Sequence, residues 1–259
     1  NLRSPASNED KFALTLESVS LTYRLNDEDT LRVLRDVTLN VKNGEIVAII
    51  GASGIGKTSL LDIASGLVVP NDGRVSVKGF GVVEACKEKL IGRVSQSDTL
   101  LPWKTVYDNV ALPLSIGAAR SGREGEIVNE MVGAVGLSEF SNYYPFQLSA
   151  GMKQRVSVAR AFVHSPEILL LDEPFGHLDE ITRDSVQETL IALCHQRKTT
   201  VIMVTHNTDE ALAISDRVVV MTGRPGYIAG QIMTSSLGSK SLPEVRSNLL
   251  HLMAEGFAT

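Results

Sequence analysis

The chain has 259 residues, 43% hydrophobic and 21% charged, which is the composition of a globular protein with a sizeable core and excludes a disordered one. A formal net charge of -5 offers no broad attraction for a phosphate backbone, so nucleic acid is not an expected partner. Cys86 and Cys194 stand far apart without zinc-like spacing, and no apolar run approaches the roughly 20 residues of a membrane-crossing helix.

Residues 12–23 alternate apolar and polar, the pattern of a half-buried strand, and 26–30 read as a turn. Residues 31–41 continue the alternation, and Asn43-Gly44 supplies turn chemistry before the apolar run 45–50. An antiparallel β layer leading into a buried strand is expected. Over 58–67, the apolar positions Leu60, Leu61, Ile63, Ala64 and Leu67 recur at helical spacing, and 70–73 forms a turn. From about 98 to 165 helical stretches dominate, among them 124–135 and 152–163, which predicts an inserted helical subdomain. Beyond it strand and helix alternate: 168–171, 182–197, 200–204, 209–214 and 217–221. Alternation of this kind predicts a parallel sheet with right-handed crossovers. After Gly223 come a hairpin-like piece through Gly226 and Ile232 and a helical tail. The polar start, 1–11, lacks the apolar core of a signal peptide, so export is not expected.

Gly51-Ala52-Ser53-Gly54-Ile55-Gly56-Lys57-Thr58 fits the pattern G-x-x-x-x-G-K-[ST] between a predicted strand and a predicted helix. Glycines let the backbone curl so that successive N–H groups and the helix N-terminus face a β-phosphate, and Lys57 adds a point charge towards the β- and γ-phosphates. Thr58 can offer its hydroxyl to Mg²⁺. The bland alternative is a glycine-rich turn that binds nothing. Ile168-Leu-Leu-Leu-Asp172-Glu173-Pro174 ends a buried strand in two carboxylates, where open α/β sheets present their ligands. There Asp172 would hold Mg²⁺ through its water shell, and Glu173 would polarise the attacking water as general base. The alternative is a solvated pair before a proline turn. His206 ends the next strand, where a γ-phosphate or the attacking water would meet it. The expected fold is thus α/β: a P-loop NTPase (RecA-like) core with an N-terminal antiparallel β layer and an inserted α-helical subdomain.

Leu148-Ser149-Ala150-Gly151-Met152, before a helix, narrows the field. With the phosphate loop, Gln96, the Asp172-Glu173 strand and His206 in this order, it resembles the nucleotide-binding subunits of ABC transporters over residues 23 to about 226. The resemblance implies that the loop from Gly51 to Ser59 holds ATP, that Tyr23 stacks on adenine, and that Gln96 contacts Mg²⁺ and the lytic water. A core aromatic is the alternative for Tyr23. It implies that Ser149 and Gly151 reach the γ-phosphate of ATP held by a partner subunit, and that Asp179 crosses the dimer interface. Two departures stand out: the family's signature usually reads L-S-G-G-Q where this chain has Ala150 and Met152, and the loop before Asp179 usually has alanine where this chain has His177.

Residues 100–110 and 216–226 look like the bacterial importer group for nitrate, sulfonate, taurine and bicarbonate. By the same resemblance, 96–103 borders a groove for a coupling helix, the alternative for Trp103 being subdomain core. The implied protein is an ATPase domain over 12–227 with a short tail, 228–259, at the cytoplasmic face of the inner membrane. Its implied partners are transmembrane permease subunits, a second ATP-binding subunit and a solute-binding protein. An exporter subunit, a low-activity regulatory cassette and an ABC-type ATPase outside transport share these motifs.

Overall fold

The protein was analysed as a computed structural model, which describes residues 11–26, 29–97, 99–116, 122–237 and 242–255. The polar start, the middle of the expected 26–30 turn, residue 98 at the expected subdomain boundary and the last residues of the expected tail lie outside the described residues. In chain order the elements are β1 (Phe12–Arg24), β2 (Thr30–Lys42), β3 (Ile46–Ile50), α1 (Lys57–Ala64), β4 (Asp72–Val77), β5 (Phe80–Gly81), α2 (Val82–Lys87), β6 (Ile91–Val94) and α3 (Val106–Ser115). There follow α4 (Glu124–Ala134), α5 (Ala150–Phe162), β7 (Ile168–Asp172), α6 (Glu180–Arg197), β8 (Thr200–Thr205), α7 (Thr208–Ile214), β9 (Arg217–Thr222), β10 (Tyr227–Met233) and α8 (Leu242–Glu255).

The described residues divide into two bodies, one holding those up to Leu90 and from Thr200 onwards, the other holding Ile91–Thr199. In the first, β2, β1, β4 and β5 lie side by side as an antiparallel sheet. The alternation of β1 buries Leu14, Leu16, Val19 and Leu21 on one face. A second layer runs β10, β9, β3, β8, with β3 parallel to both its neighbours and β10 closing a hairpin onto β9. Every residue of β3, β8 and β9 is buried. That is why these strands read as unbroken apolar runs: a parallel strand is covered on both faces. Val245 and Leu249 of α8 are buried too, so part of the expected tail belongs to this core.

In the second body β6 pairs in parallel with β7. Three helices, α3, α4 and α5, come between those strands in sequence and bury Val110, Met131, Val132, Val156 and Phe162 among themselves. The expected α/β fold, antiparallel layer and helical insert are all present. Helix α1 stops at Ala64 instead of Leu67, because Gly66 turns left-handed at φ 73° and Leu67 N–H closes back on Asp62 C=O. Additional elements are β4, β5, α2, β6 and α3, the last carrying Pro113 inside it. Both cysteines are free thiols, and burial pushes Cys194 up to about 12, so it stays protonated at neutral pH. Among the described residues no helix is long and apolar enough to cross a membrane.

One buried ion pair ties the layers of the first body. The Arg217 guanidinium gives 2.7 Å and 3.0 Å bonds to the two Glu45 carboxylate oxygens, a 2.7 Å bond to Asn40 C=O and a 2.8 Å bond to Gln231 Oε1. Four strands or strand ends meet at one side chain. Arg217→Ala strands a buried carboxylate, and a loss of about 3–5 kcal/mol in unfolding free energy is expected from urea denaturation.

Candidate functional site

In the first body the chemistry collects at one strand edge. Ile50 and Thr205 are paired across β3 and β8, so Gly51 and His206 leave their strands side by side at the carboxyl ends, where parallel sheets bind ligands. Gly54 and Gly56 adopt φ 78° and 100°, a left-handed region that costs a residue with a Cβ. A Cβ on Gly56 would also lie 2.7 Å from Leu34 Cδ2, and one on Gly51 would lie 2.5 Å from the Met221 carbonyl oxygen. The glycines are required by packing as well as by curvature. Ile55 tucks its side chain under the loop, 1% exposed, so this residue has only main-chain atoms to offer a ligand; Ala52, Ser53 and Gly54 are part-exposed or exposed above it.

Helix α1 begins at Lys57 with Gly56 in the cap position, no capping side chain and no acidic residue in its first turn. Its leading N–H groups and positive dipole end are therefore directed into the loop. Lys57 is buried, and its Nζ donates to Gly51 C=O at 2.8 Å and Ala52 C=O at 3.0 Å. These bonds hold the ammonium at the loop beside the start of α1. Thr58 is exposed and Ser59 half-buried on the same turn. A helix start, left-handed glycines and a buried ammonium together make a geometry that suits an anion. Tyr23 lies exposed at the end of β1, which removes the core-packing alternative. His206 is exposed, directly after buried Thr205.

In the second body Val94 pairs with Leu171, and the residues that follow each strand converge. Asp172 is buried as the last residue of β7. Glu173 is held at φ 43°, a left-handed conformation that costs a non-glycine residue about 1 kcal/mol or more. Gln96 Nε2 donates to Glu173 Oε2 at 3.3 Å. Sequence reasoning missed Arg93, whose Nη2 lies 3.8 Å from Asp172 Oδ2. The available signal was a basic residue inside a short strand three positions before Gln96.

Ser149 caps α5, its Oγ accepting from Met152 N–H at 3.3 Å. Asp179 caps α6, and the hydroxyl and amide of Thr182 hold its carboxyl below the usual carboxylate range. Gly151 faces that same Thr182: a Cβ there would lie 2.2 Å from Thr182 Cγ2. The signature turn and the cap of α6 are thus in contact. Trp103 is 70% exposed, not subdomain core, and its loop is pinned by fully buried Asn109, which bonds Leu101, Lys104 and Thr105. The departures Ala150 and His177 line one cavity of about 310 Å³ together with Gln96. A roomier cavity of about 670 Å³ in the first body, along Ile63, Val68, Val75 and Val82, holds none of the predicted site residues.

The family model described as ABC transporter matches residues 34–176. A bicarbonate transport ATP-binding protein, CmpD of Synechococcus elongatus, is 42% identical over 223 residues, 85% of this chain and 79% of that protein. A nitrate import ATP-binding protein, NrtC of the same organism, is 41% identical over 222 residues, again 85% of this chain but 33% of that protein. The chain spans about a third of the length of the larger relatives that it matches. Among solved structures, the ATP-binding cassette MJ0796, in a dimeric post-hydrolysis state bound to ADP and Pi, superposes with a TM-score of 0.75 at 31% identity, covering 85% of this chain and 98% of that one. The cbiO1 protein of Clostridium perfringens shares the fold with a TM-score of 0.78 at 24% identity, covering 96% and 98%.

Gly151→Ala drives a methyl into Thr182, and a destabilisation of about 1–3 kcal/mol is expected. Thr182→Ser in the same chain removes the opposing methyl and should recover most of it in a denaturant double-mutant cycle. Absence of recovery would place the strain elsewhere.

Proposed function

Because this chain belongs to the ABC transporter family, we propose that it is the nucleotide-binding subunit whose ATP hydrolysis powers import of a small anion by a membrane transporter. The observation that carries the reading is the loop from Gly51 to Ser59: left-handed glycines, an uncapped helix start and a buried lysine that donates to carbonyls of its own loop. The small anion is suggested by relatives named for nitrate import and bicarbonate transport.

Each candidate takes a role from its chemistry. Loop N–H groups and Lys57 bind the β- and γ-phosphates, and Tyr23 stacks on adenine. Thr58, Asp172 and Gln96 each offer a hard oxygen donor of the kind that suits Mg²⁺. When bound, Mg²⁺ would supply neutralisation of charge on the phosphate oxygens. Glu173 takes a proton as water oxygen attacks the γ-phosphorus; the bond from the γ-phosphorus to the β–γ bridging oxygen breaks, and its electron pair leaves with ADP. The Gln96 bond to Glu173 aims that carboxylate. His206 steadies charge on the γ-phosphate.

Ser149, Gly151 and Asp179 act on nucleotide held by a second ATP-binding subunit, so that pairing completes the catalytic set. Exposed Trp103 and its pinned loop suit docking of a permease subunit at the cytoplasmic face of the membrane, with a solute-binding protein in the same complex. The ATPase domain comprises residues 12–227, the helical subdomain about 98–165 within it, and 228–259 a short tail. Ala150 and His177, sharing a cavity with Gln96, favour one second reading: a regulatory cassette that binds ATP and turns over slowly.

Glu173→Gln is expected to bind ATP and to form a dimer visible by light scattering, while phosphate release falls by about 10²- to 10⁴-fold. Lys57→Ala should lose nucleotide binding itself. Undiminished phosphate release by Glu173→Gln would remove that residue from the base role, and slow release by the wild-type chain assembled with a permease would favour the regulatory reading.

A further inference from the structure

We infer that Glu210 is a positioning residue for His206, acting through the hydroxyl of Thr205; the inference rests on the catalytic role proposed for that histidine. The last residue of β8, Thr205, is 2% exposed, and its hydroxyl is used twice. It donates to Glu210 Oε2 and accepts from the Asn207 N–H at 3.0 Å. The Asn207 side chain in turn caps α7, its Oδ1 accepting from Asp209 N–H at 3.0 Å and Glu210 N–H at 3.2 Å.

These contacts close a ring from Thr205 to Asn207 to Glu210 and back to Thr205. His206 is the one residue between two of its members. The backbone on both sides of the histidine is therefore fixed: by buried β8 before it and by the amide bond to Thr205 after it. Thr205 adds stiffness, because β-branching limits χ1. A carboxylate as the closing acceptor makes this bond stronger than a neutral one, and Glu210, 8% exposed, is buried at the position where that strength acts. A surface link continues outward, Asp209 to Arg246 of α8 at 3.4 Å, but both groups are more than half exposed, so it adds little rigidity.

The role is read from hydrolysis, not from folding. A misplacement of catalytic geometry costs up to about 100-fold in rate. Glu210→Ala and Thr205→Val in the full chain are expected to lower kcat for MgATP by about 10- to 100-fold while KM moves less than about twofold. Thr205→Ser keeps the hydroxyl and should stay within about threefold of wild type. In a His206→Ala background, Glu210→Ala should cost almost nothing more, since residues acting as a unit are non-additive. Nucleotide binding by each variant checks that the fold survives, and if Glu210→Ala does not fold, Glu210→Gln carries the same comparison.

Wild-type kcat in Glu210→Ala overturns the inference, as does the same fold-loss repeated in the His206→Ala background. If His206→Ala is inactive while Glu210→Ala is active, only the positioning role fails. If His206→Ala itself turns over normally, the catalytic role of the histidine and the positioning role fall together.

Discussion

The constraint on which the rest depends is the complete burial of the short parallel strands. In β3, β7, β8 and β9 every residue is buried. A strand covered on both faces cannot carry a solvated polar group along its length, because each would have to be desolvated and re-paired. Polar chemistry is displaced to the strand ends. There Asp172, Glu173, Gly51 and His206 follow directly on apolar runs, and register decides which of them become neighbours. The pairing of Ile50 with Thr205 sets the loop beside the histidine, and that of Val94 with Leu171 sets Gln96 beside Glu173. A slip of one residue would exchange faces along the strand and part both pairs.

Buried charge occurs in two settings. Glu45 and Arg217 neutralise each other, and Asn40 and Gln231 take up further guanidinium donors. Such a pair is closed, with nothing left for a ligand. Lys57 is as buried, and its ammonium donates to two carbonyls of its own loop. Those bonds place a buried cation at the loop, where an anion would be screened less than in water. The helix start beneath it has no acidic residue in its first turn, so its positive end faces the same loop.

How much was legible follows from which physics leaves a local trace. Apolar runs, helical spacing and the glycine-lysine pattern are local, and β3, α1, β7, α6 and β8 were readable from them with shifts of a few residues at their ends. By contrast, β4 opens on Asp72-Gly73, residues that read as turn, and α3 holds Pro113, which argues against a helix interior; tertiary packing overrides both signals. Contacts distant in sequence leave no pattern. Nothing local links Arg93 to Asp172, or Gly151 to Thr182. Glycine at 151 is attributable to phosphate approach from sequence alone, whereas the fold adds a packing reason. Asn207 followed three residues later by Glu210 is a readable helix-start signal, but that the glutamate closes on Thr205 is visible only in three dimensions.

Two methods of fixing a candidate catalytic group beyond the end of a strand can be compared within one chain. Glu173 is held at φ 43°, an unfavourable backbone conformation, and its carboxylate is met by the Gln96 amide. His206 is bracketed by hydrogen bonds that satisfy buried polar groups. Strain of the first kind persists only where the surrounding structure over-determines the conformation. Bonds of the second kind resist movement from every direction, because each displacement leaves a buried hydroxyl or carboxylate unpaired. In both cases the residue beyond the strand is held by the fold, Glu173 with its carboxylate met by Gln96 and His206 between two bonded neighbours.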